Sequence, residues 1–211
     1  GSILLSKSVI LPAVIASTVL LMLYLTRGEL QKNLKRQYMI FKNKHTWAMT
    51  IIYTMTFGSF IGFSAAFPLS IKVIFGYSHI CDACIVGPDA VWNHDTINPN
   101  GPSALMFAWM GPFIGALIRP VGGWIADKVG GAKVTQIVSV VMIVAALGVS
   151  YYMSAAYKSA TPEEYFWQFF TLFIILFAAT GIGNGSSFRS IAMVFNQEQT
   201  GPALGWTSAV A

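Results

Sequence analysis

Five long apolar stretches constrain the fold of this sequence most, because each exceeds the roughly 20 residues that an α-helix needs to cross a bilayer. We predict spans at Ile3–Thr26, Trp47–Ile71, Ala104–Ala126, Val134–Ala155 and Tyr165–Ser187, with a sixth beginning near Ala203. Hydrophobic residues make up 55% of the 211 residues and charged residues 10%. Soluble domains carry about 25% charged residues. The sequence therefore predicts an all-α, multi-pass membrane protein.

Lysine and arginine residues are concentrated in two of the segments between the spans. Arg27–His45 carries six of them, and Lys128 and Lys133 follow the third span. Because cytoplasmic loops carry an excess of lysine and arginine, we predict that both segments lie on the cytoplasmic side of the inner (plasma) membrane. This clustering explains the net charge of +5, so we expect the lipid bilayer as a partner and no nucleic acid.

Arg119 lies inside the third span, in the glycine-rich stretch Ala108–Lys133. A guanidinium group in hydrocarbon costs roughly 2.5–3.5 kcal/mol even on insertion scales, and arginine does not lose its proton to avoid that cost. We therefore expect Arg119 to face protein, a bound partner or a water-filled path. The predicted spans contain no aspartate or glutamate that could pair with it, which favours an anionic ligand.

Aromatic residues and glycines recur at helical spacing in the spans. Tyr53, Phe57, Phe60 and Ser64 fall at i, i+4, i+7 and i+11, so they lie on one helical face. Such an aromatic face is more often part of a hydrophobic core than of a binding site. Three glycine pairs predict close helix packing, and they also fit a tight central path: Gly58/Gly62, Gly111/Gly115 and Gly181/Gly185.

The turn after the third span, Gly123–Lys133, reads GWIADKVGGAK. It resembles the cytoplasmic loop motif of the major facilitator superfamily, which recurs between the second and third helices of each six-helix half. The resemblance implies that residues 1–26 contain helix 6, residues 27–46 form the basic central loop, and residues 47–211 form a partial C-terminal bundle with helices 7 to 10 and the start of helix 11. It also implies a conformational latch formed by Gly123, Asp127, Lys128, Gly130 and Lys133.

Three further segments resemble the nitrate/nitrite porter family of that superfamily. Residues 181–188 (GIGNGSSF) resemble its glycine-rich nitrate signature, with Ser187 in place of the usual threonine. Residues 57–65 (FGSFIGFSA) and 111–119 (GPFIGALIR) resemble its helices 7 and 8. Without the resemblance, the glycines of residues 181–188 would be interpreted as a packing seam. The resemblance implies these substrate-binding residues: Arg119, Tyr53, Phe57, Gly183, Asn184, Gly185, Ser186 and Ser187.

The chemistry of the implied ligand agrees with these residue types. Nitrate and nitrite are flat, delocalised anions, and a guanidinium group can donate paired N–H bonds to two of their oxygens. The resemblance implies a transporter that moves nitrate and/or nitrite by alternating access, as a nitrate/nitrite antiporter or a nitrate/proton symporter. The absence of acidic residues from the spans favours antiport. A facilitator for another small anion and a non-transporting membrane scaffold or sensor remain open.

The remaining sequence features concern catalysis, the two cysteines, Arg189 and the extent of the chain. The sequence shows no catalytic constellation, so we expect neither an enzyme nor a cofactor. Cys81 and Cys84 in the outer loop are spaced for a disulfide, and no second paired motif completes a metal site around them. Arg189 is interpreted as an anchor at the cytoplasmic surface or as an anion contact on the exit path. We expect the chain to be part of a larger transporter whose N-terminal half completes the site.

Overall fold

The computed structural model describes residues 7–25, 28, 35, 37–77, 97–159 and 161–211. The chain divides into two compact units, residues 1–46 and residues 47–211. In the first unit, helix α1 spans Lys7–Leu25 and a 3-10 turn spans Met39–Lys42. Helix α1 lies within the predicted first span, but its described apolar part, Ile10–Met22, is shorter than a membrane span, and the ends of the prediction lie outside the described residues.

The second unit is built from long apolar helices. Helix α2 (Lys44–Phe75) begins at the end of the first unit, and α3 (Ala104–Val129), α4 (Gly131–Tyr157) and α5 (Pro162–Val194) follow. Each of these four is long and apolar enough to cross a membrane. A shorter helix, α6, spans Gln197–Val210. The predicted all-α, multi-pass class is confirmed, whereas Cys81 and Cys84 lie outside the described residues and their disulfide stays a prediction.

Two of the helices are irregular where the sequence places proline or glycine. Helix α2 contains π-helical turns at Thr54–Gly58 and Ile71–Phe75. Helix α3 is interrupted at Ile118, just before Arg119. Pro120 has no N–H group to donate to the carbonyl one turn earlier, which explains the interruption at this point. The α-helical hydrogen bonding therefore changes next to Arg119.

A single residue, Gly130, connects α3 to α4. Its φ of 96° lies in the left-handed region, which side chains disfavour and glycine tolerates. The two helices are therefore joined by one residue, without a loop. This geometry explains why the turn within Gly123–Lys133 has glycine at this position.

Helix α5 is the centre of the second unit. Its fully buried side chains include Phe169 and Phe177, which contact the equally buried Phe67 of α2. On the side that faces α3, glycines bring the two backbones together. A Cβ atom on Gly181 would collide with the carbonyl oxygen of Gly115, and one on Gly185 would collide with that of Arg119. These contacts confirm the packing interpretation for the Gly181/Gly185 pair.

The other two glycine pairs have different surroundings. A Cβ atom on Gly111 would overlap the ring of Phe177, so this glycine also belongs to the packed interior. By contrast, a Cβ atom on Gly62 would meet nothing within 4 Å among the described residues, and one on Gly58 would meet a side chain of its own helix. The predicted close packing is therefore present for two pairs and not observed, within the described part of the chain, for Gly58/Gly62.

Helix α5 extends seven residues beyond the predicted end of the fifth span at Ser187. In the structure Arg189 forms an ion pair outside the apolar interior, and the helix continues to bury Ile191. Ile191 packs with Phe195 and with Ala203 of α6 in a small hydrophobic cluster. The extension therefore provides the surface on which α6 lies.

Candidate functional site

Arg119 stands at the interruption of α3, with its side chain directed toward the aromatic face of α2. Its Cζ atom lies 4.7 Å from the ring centroid of Phe60 and 5.4 Å from that of Phe57. A cation over aromatic rings gains up to about 2 kcal/mol when water is excluded. The Nε atom of Arg119 is buried and has no hydrogen-bond partner among the described residues. The charge of Arg119 is therefore only partly compensated, and its Nε–H group remains available to donate a hydrogen bond to a ligand.

The aromatic residues of α2 form a continuous stack beside this arginine. The rings of Tyr53 and Phe57 are 5.3 Å apart and inclined by 12°, and those of Phe57 and Phe60 are 6.4 Å apart and inclined by 13°. The π-helical turn Thr54–Gly58 lies within this stretch. Such turns are frequent at functional sites. Tyr53, Phe57 and Phe60 therefore lie on one helical face, as predicted. The guanidinium group of Arg119 packs against Phe57 and Phe60 on that face.

Tyr53 connects this stack to the last part of the chain. Its side chain is 3% exposed, and its ring meets the ring of Phe188 edge-on at 4.9 Å. The Tyr53 hydroxyl also lies near the side chains of Arg119 and of Ser208 in α6. Helices α2, α3, α5 and α6 thus all contribute residues to one region of the second unit.

The segment Gly183–Ser187 lies behind Arg119, within the packed interior. The Ser186 and Ser187 hydroxyls donate hydrogen bonds to the Gly183 carbonyl oxygen at 3.0 and 2.8 Å. A Cβ atom on Gly183 would press on Thr56 of α2. Asn184 is 0% exposed, and neither amide atom has a partner among the described residues. A buried amide without partners costs free energy, so Asn184 is the polar group of this segment that a ligand or a water molecule would satisfy.

The turn that resembles the cytoplasmic loop motif contains an ion pair. The Nε atom of Arg189 in α5 donates to a carboxylate oxygen of Asp127 at the end of α3. About half of each side chain is exposed, so the pair contributes little to stability. Lys128 lies beside it, with Nζ 3.9 Å from the ring centroid of Trp124. The anion-contact interpretation of Arg189 has no support from this arrangement, because the guanidinium group is already paired.

The structure brings some of the predicted site residues together and separates others. Arg119, Tyr53 and Phe57 form one cluster, and Gly185 touches this cluster through the Arg119 backbone. Gly183, Ser186 and Ser187 instead lie among the packed helices. Phe60, Phe188 and Ser208 were not among the predicted substrate-binding residues. The helical spacing of Phe60 from Phe57 was the one signal that could have identified it.

Several membrane-length helices, packed through glycines around a partly compensated arginine, define a polytopic membrane protein with a charged interior site. The sequence profile of the Major Facilitator Superfamily matches residues 8–211. The chain belongs to the major facilitator superfamily.

Three relatives with described functions are similar to this chain. It is 36% identical to a probable nitrate/nitrite antiporter, NarK2, of Thermus thermophilus over 95% of the chain and 40% of that relative. It is 35% identical to the nitrate/nitrite transporter NarU of Salmonella typhimurium over 81% of the chain and 30% of that relative. For NarU of Escherichia coli the identity is 34%, over 76% and 29%. The chain thus spans at most 40% of the length of these relatives.

Proposed function

We propose that the complete protein is a secondary active transporter that moves nitrate and/or nitrite by alternating access, as a nitrate/nitrite antiporter or a nitrate/proton symporter. In this proposal the protein is not an enzyme and uses no cofactor. Arg119, Tyr53 and Phe57 form one side of the anion site. The N-terminal half of the transporter supplies the other side, since sites in such carriers lie between repeats. The descriptions of the three relatives support the choice of substrate.

The environment of Arg119 carries the proposal. Its guanidinium group lies against two aromatic rings, and its Nε donor is unused among the described residues. The described ion pair, Asp127–Arg189, does not involve it. A scaffold or sensor would pair such an arginine with a fixed carboxylate, whereas a carrier needs a ligand that leaves. A flat anion that accepts from the guanidinium group and lies against the rings fits this arrangement.

Phe57→Ala should reduce the selectivity of the transporter for flat anions. Removing the ring opens space beside Arg119 while the arginine keeps its contact with Phe60. We expect discrimination against acetate and larger carboxylates to fall about tenfold, equivalent to about 1.4 kcal/mol. Competition of these anions with nitrate uptake in proteoliposomes measures the change.

Phe113→Ala is the matched control for this variant, because Phe113 is 53% exposed and its ring packs on that of Trp109, whereas the Arg119 guanidinium group lies over Phe57 and Phe60. An unchanged competition pattern in Phe57→Ala would identify its ring as core packing. Strong transport of carboxylates by the unmodified protein would favour the alternative function, a facilitator for other small anions.

The ion pair between Asp127 and Arg189 supports the second part of the proposal, a conformational latch at the cytoplasmic ends of α3 and α5. Gly123, Lys128, Gly130 and Lys133 complete this latch in the turn that follows α3. Because both paired groups are half exposed, the pair is weak enough to open during a transport cycle. The latch would thus restrain one conformation without adding much to stability.

Asp127→Asn should slow nitrate uptake about threefold to tenfold, equivalent to about 0.7–1.4 kcal/mol, with little change in thermal stability. The double exchange Asp127→Arg with Arg189→Asp should recover much of the rate, because it restores the pair with reversed sign. Initial uptake rates in proteoliposomes test both variants. Equal rates in Asp127→Asn, Arg189→Ala and the unmodified protein would remove the latch from the proposal.

A further inference from the structure

An apolar groove of about 380 Å³ lies between α3, α4 and α5, and neither Asn184 nor the Arg119 cluster lines it. Its lining is aliphatic throughout. Val129 and Val134 line the end next to the α3–α4 turn, Val141 and Ile175 line the far end, and Ala178 lies between them. The small side chains of Ala178 and Ala179 on α5 leave a channel between the larger ones on α3 and α4.

The groove is open along its length in the described part of the chain. Ile137 is 62% exposed and Val129 is 49% exposed, although both line it. From Val134 to Val141 the groove follows α4 for seven residues, or about 10 Å at 1.5 Å per residue. It therefore runs from the end of the membrane helices toward the middle of the bilayer, parallel to the direction of a lipid chain.

Two lysines stand where the groove reaches the α3–α4 turn. Lys128 precedes Val129 and Lys133 precedes Val134, and both lysines are exposed. Neither takes part in an ion pair among the described residues, since the nearby Asp127 is paired with Arg189. The ammonium group of Lys128 rests against Trp124, which is 58% exposed. Exposed tryptophan marks the headgroup level of a membrane.

We propose that this groove binds an anionic phospholipid of the cytoplasmic leaflet, with one acyl chain along the groove and the phosphate group between Lys128 and Lys133. The apolar walls supply packing contacts but little selectivity, because the surrounding lipid chains are equally apolar. The two lysines supply the selectivity, as basic pockets between transmembrane helices on the cytoplasmic side do for acidic headgroups. The charge of the two lysines therefore selects an anionic lipid, and the groove determines where that lipid lies.

Native mass spectrometry of the complete transporter tests this proposal. The protein is purified in mild detergent and incubated with phosphatidylglycerol or with phosphatidylcholine of the same acyl chains. We expect at least fivefold greater retention of phosphatidylglycerol. Val141→Phe fills the groove and should reduce that retention to the level of phosphatidylcholine. Val144→Phe makes the same change on the same helix at a residue that does not line the groove, and it should leave retention unchanged.

The charge requirement has its own pair of variants. The double variant Lys128→Gln, Lys133→Gln should lose the preference for phosphatidylglycerol, whereas Lys158→Gln, at the other end of α4, should keep it.

Equal retention of the two lipids by the unmodified protein overturns the proposal. Full retention by a correctly folded Val141→Phe also overturns it and would indicate nonspecific boundary lipid or a groove covered by another protein segment. If Val141→Phe does not fold, the double lysine variant decides, because both of its sites are exposed. Glycerophosphoglycerol, the headgroup without acyl chains, should not compete with phosphatidylglycerol for binding. Effective competition would overturn the role of the groove, because the lysines alone would then bind the phosphate group.

Discussion

Arg119→Lys should lower nitrate uptake by the complete transporter roughly 100-fold, a loss of about 2.7 kcal/mol. Lysine keeps the positive charge but loses the planar fork that donates paired hydrogen bonds to a flat anion. It also loses the extended contact of the guanidinium group with the rings of Phe57 and Phe60. Initial rates of nitrate uptake in proteoliposomes, measured across a range of nitrate concentrations, give both the affinity and the maximal rate.

Arg189→Lys is the matched control, because the same substitution there affects an exposed ion pair in which lysine can replace arginine. We expect that variant to keep at least about a third of the uptake rate, since such pairs contribute under about 1 kcal/mol. Near-normal transport by Arg119→Lys would contradict direct binding of the anion by the guanidinium group. Its charge would then act only at a distance.

Gly185→Ala should destabilise the second unit and lower transport with it. The added Cβ atom collides with the carbonyl oxygen of Arg119, which is backbone and cannot rotate away. Overpacking of this kind costs about 1–3 kcal/mol, and here it also displaces the segment that positions the arginine. Thermal unfolding of the purified complete transporter and nitrate uptake measure the two effects.

Gly62→Ala provides the comparison, because a Cβ atom there meets nothing within 4 Å among the described residues. Its unfolding midpoint should stay the same or rise slightly, since alanine favours helix over glycine. If Gly185→Ala and Gly62→Ala behave alike, the close approach of α3 and α5 is not what holds Arg119 in place.

The resemblance to the nitrate/nitrite porter family implied that Arg119, Tyr53 and Phe57 belong to one site, and local features of the sequence supported two parts of that prediction. A lone arginine in an apolar span needs compensation, and residues four apart on a helix share a face. The contact between Arg119 and Phe60 was not predicted. It depends on how α3 is interrupted at Ile118 and on its distance from α2, and neither is encoded in residue spacing.

The segment Gly183–Ser187 shows a second reason for incomplete prediction. Glycines that admit a ligand and glycines that admit a neighbouring helix produce the same sequence pattern. The structure places Gly185 against the backbone of Arg119 and Gly183 against Thr56, so both contacts are between helices. The pairing of Asp127 with Arg189 was likewise not predicted, because it joins residues 62 positions apart. Substrate contacts of this segment remain a prediction that rests on Asn184.

The interruption at Ile118 and the one-residue connection at Gly130 mark the two ends of the last part of α3. Between them, Arg119–Val129 is one uninterrupted helix of 11 residues, about 16 Å long at 1.5 Å per residue. This short helix has Arg119 at one end and is connected to α4 through Gly130 at the other. No loop separates the two helices at that point. We therefore expect an axial movement of Arg119–Val129 to be passed directly to the start of α4.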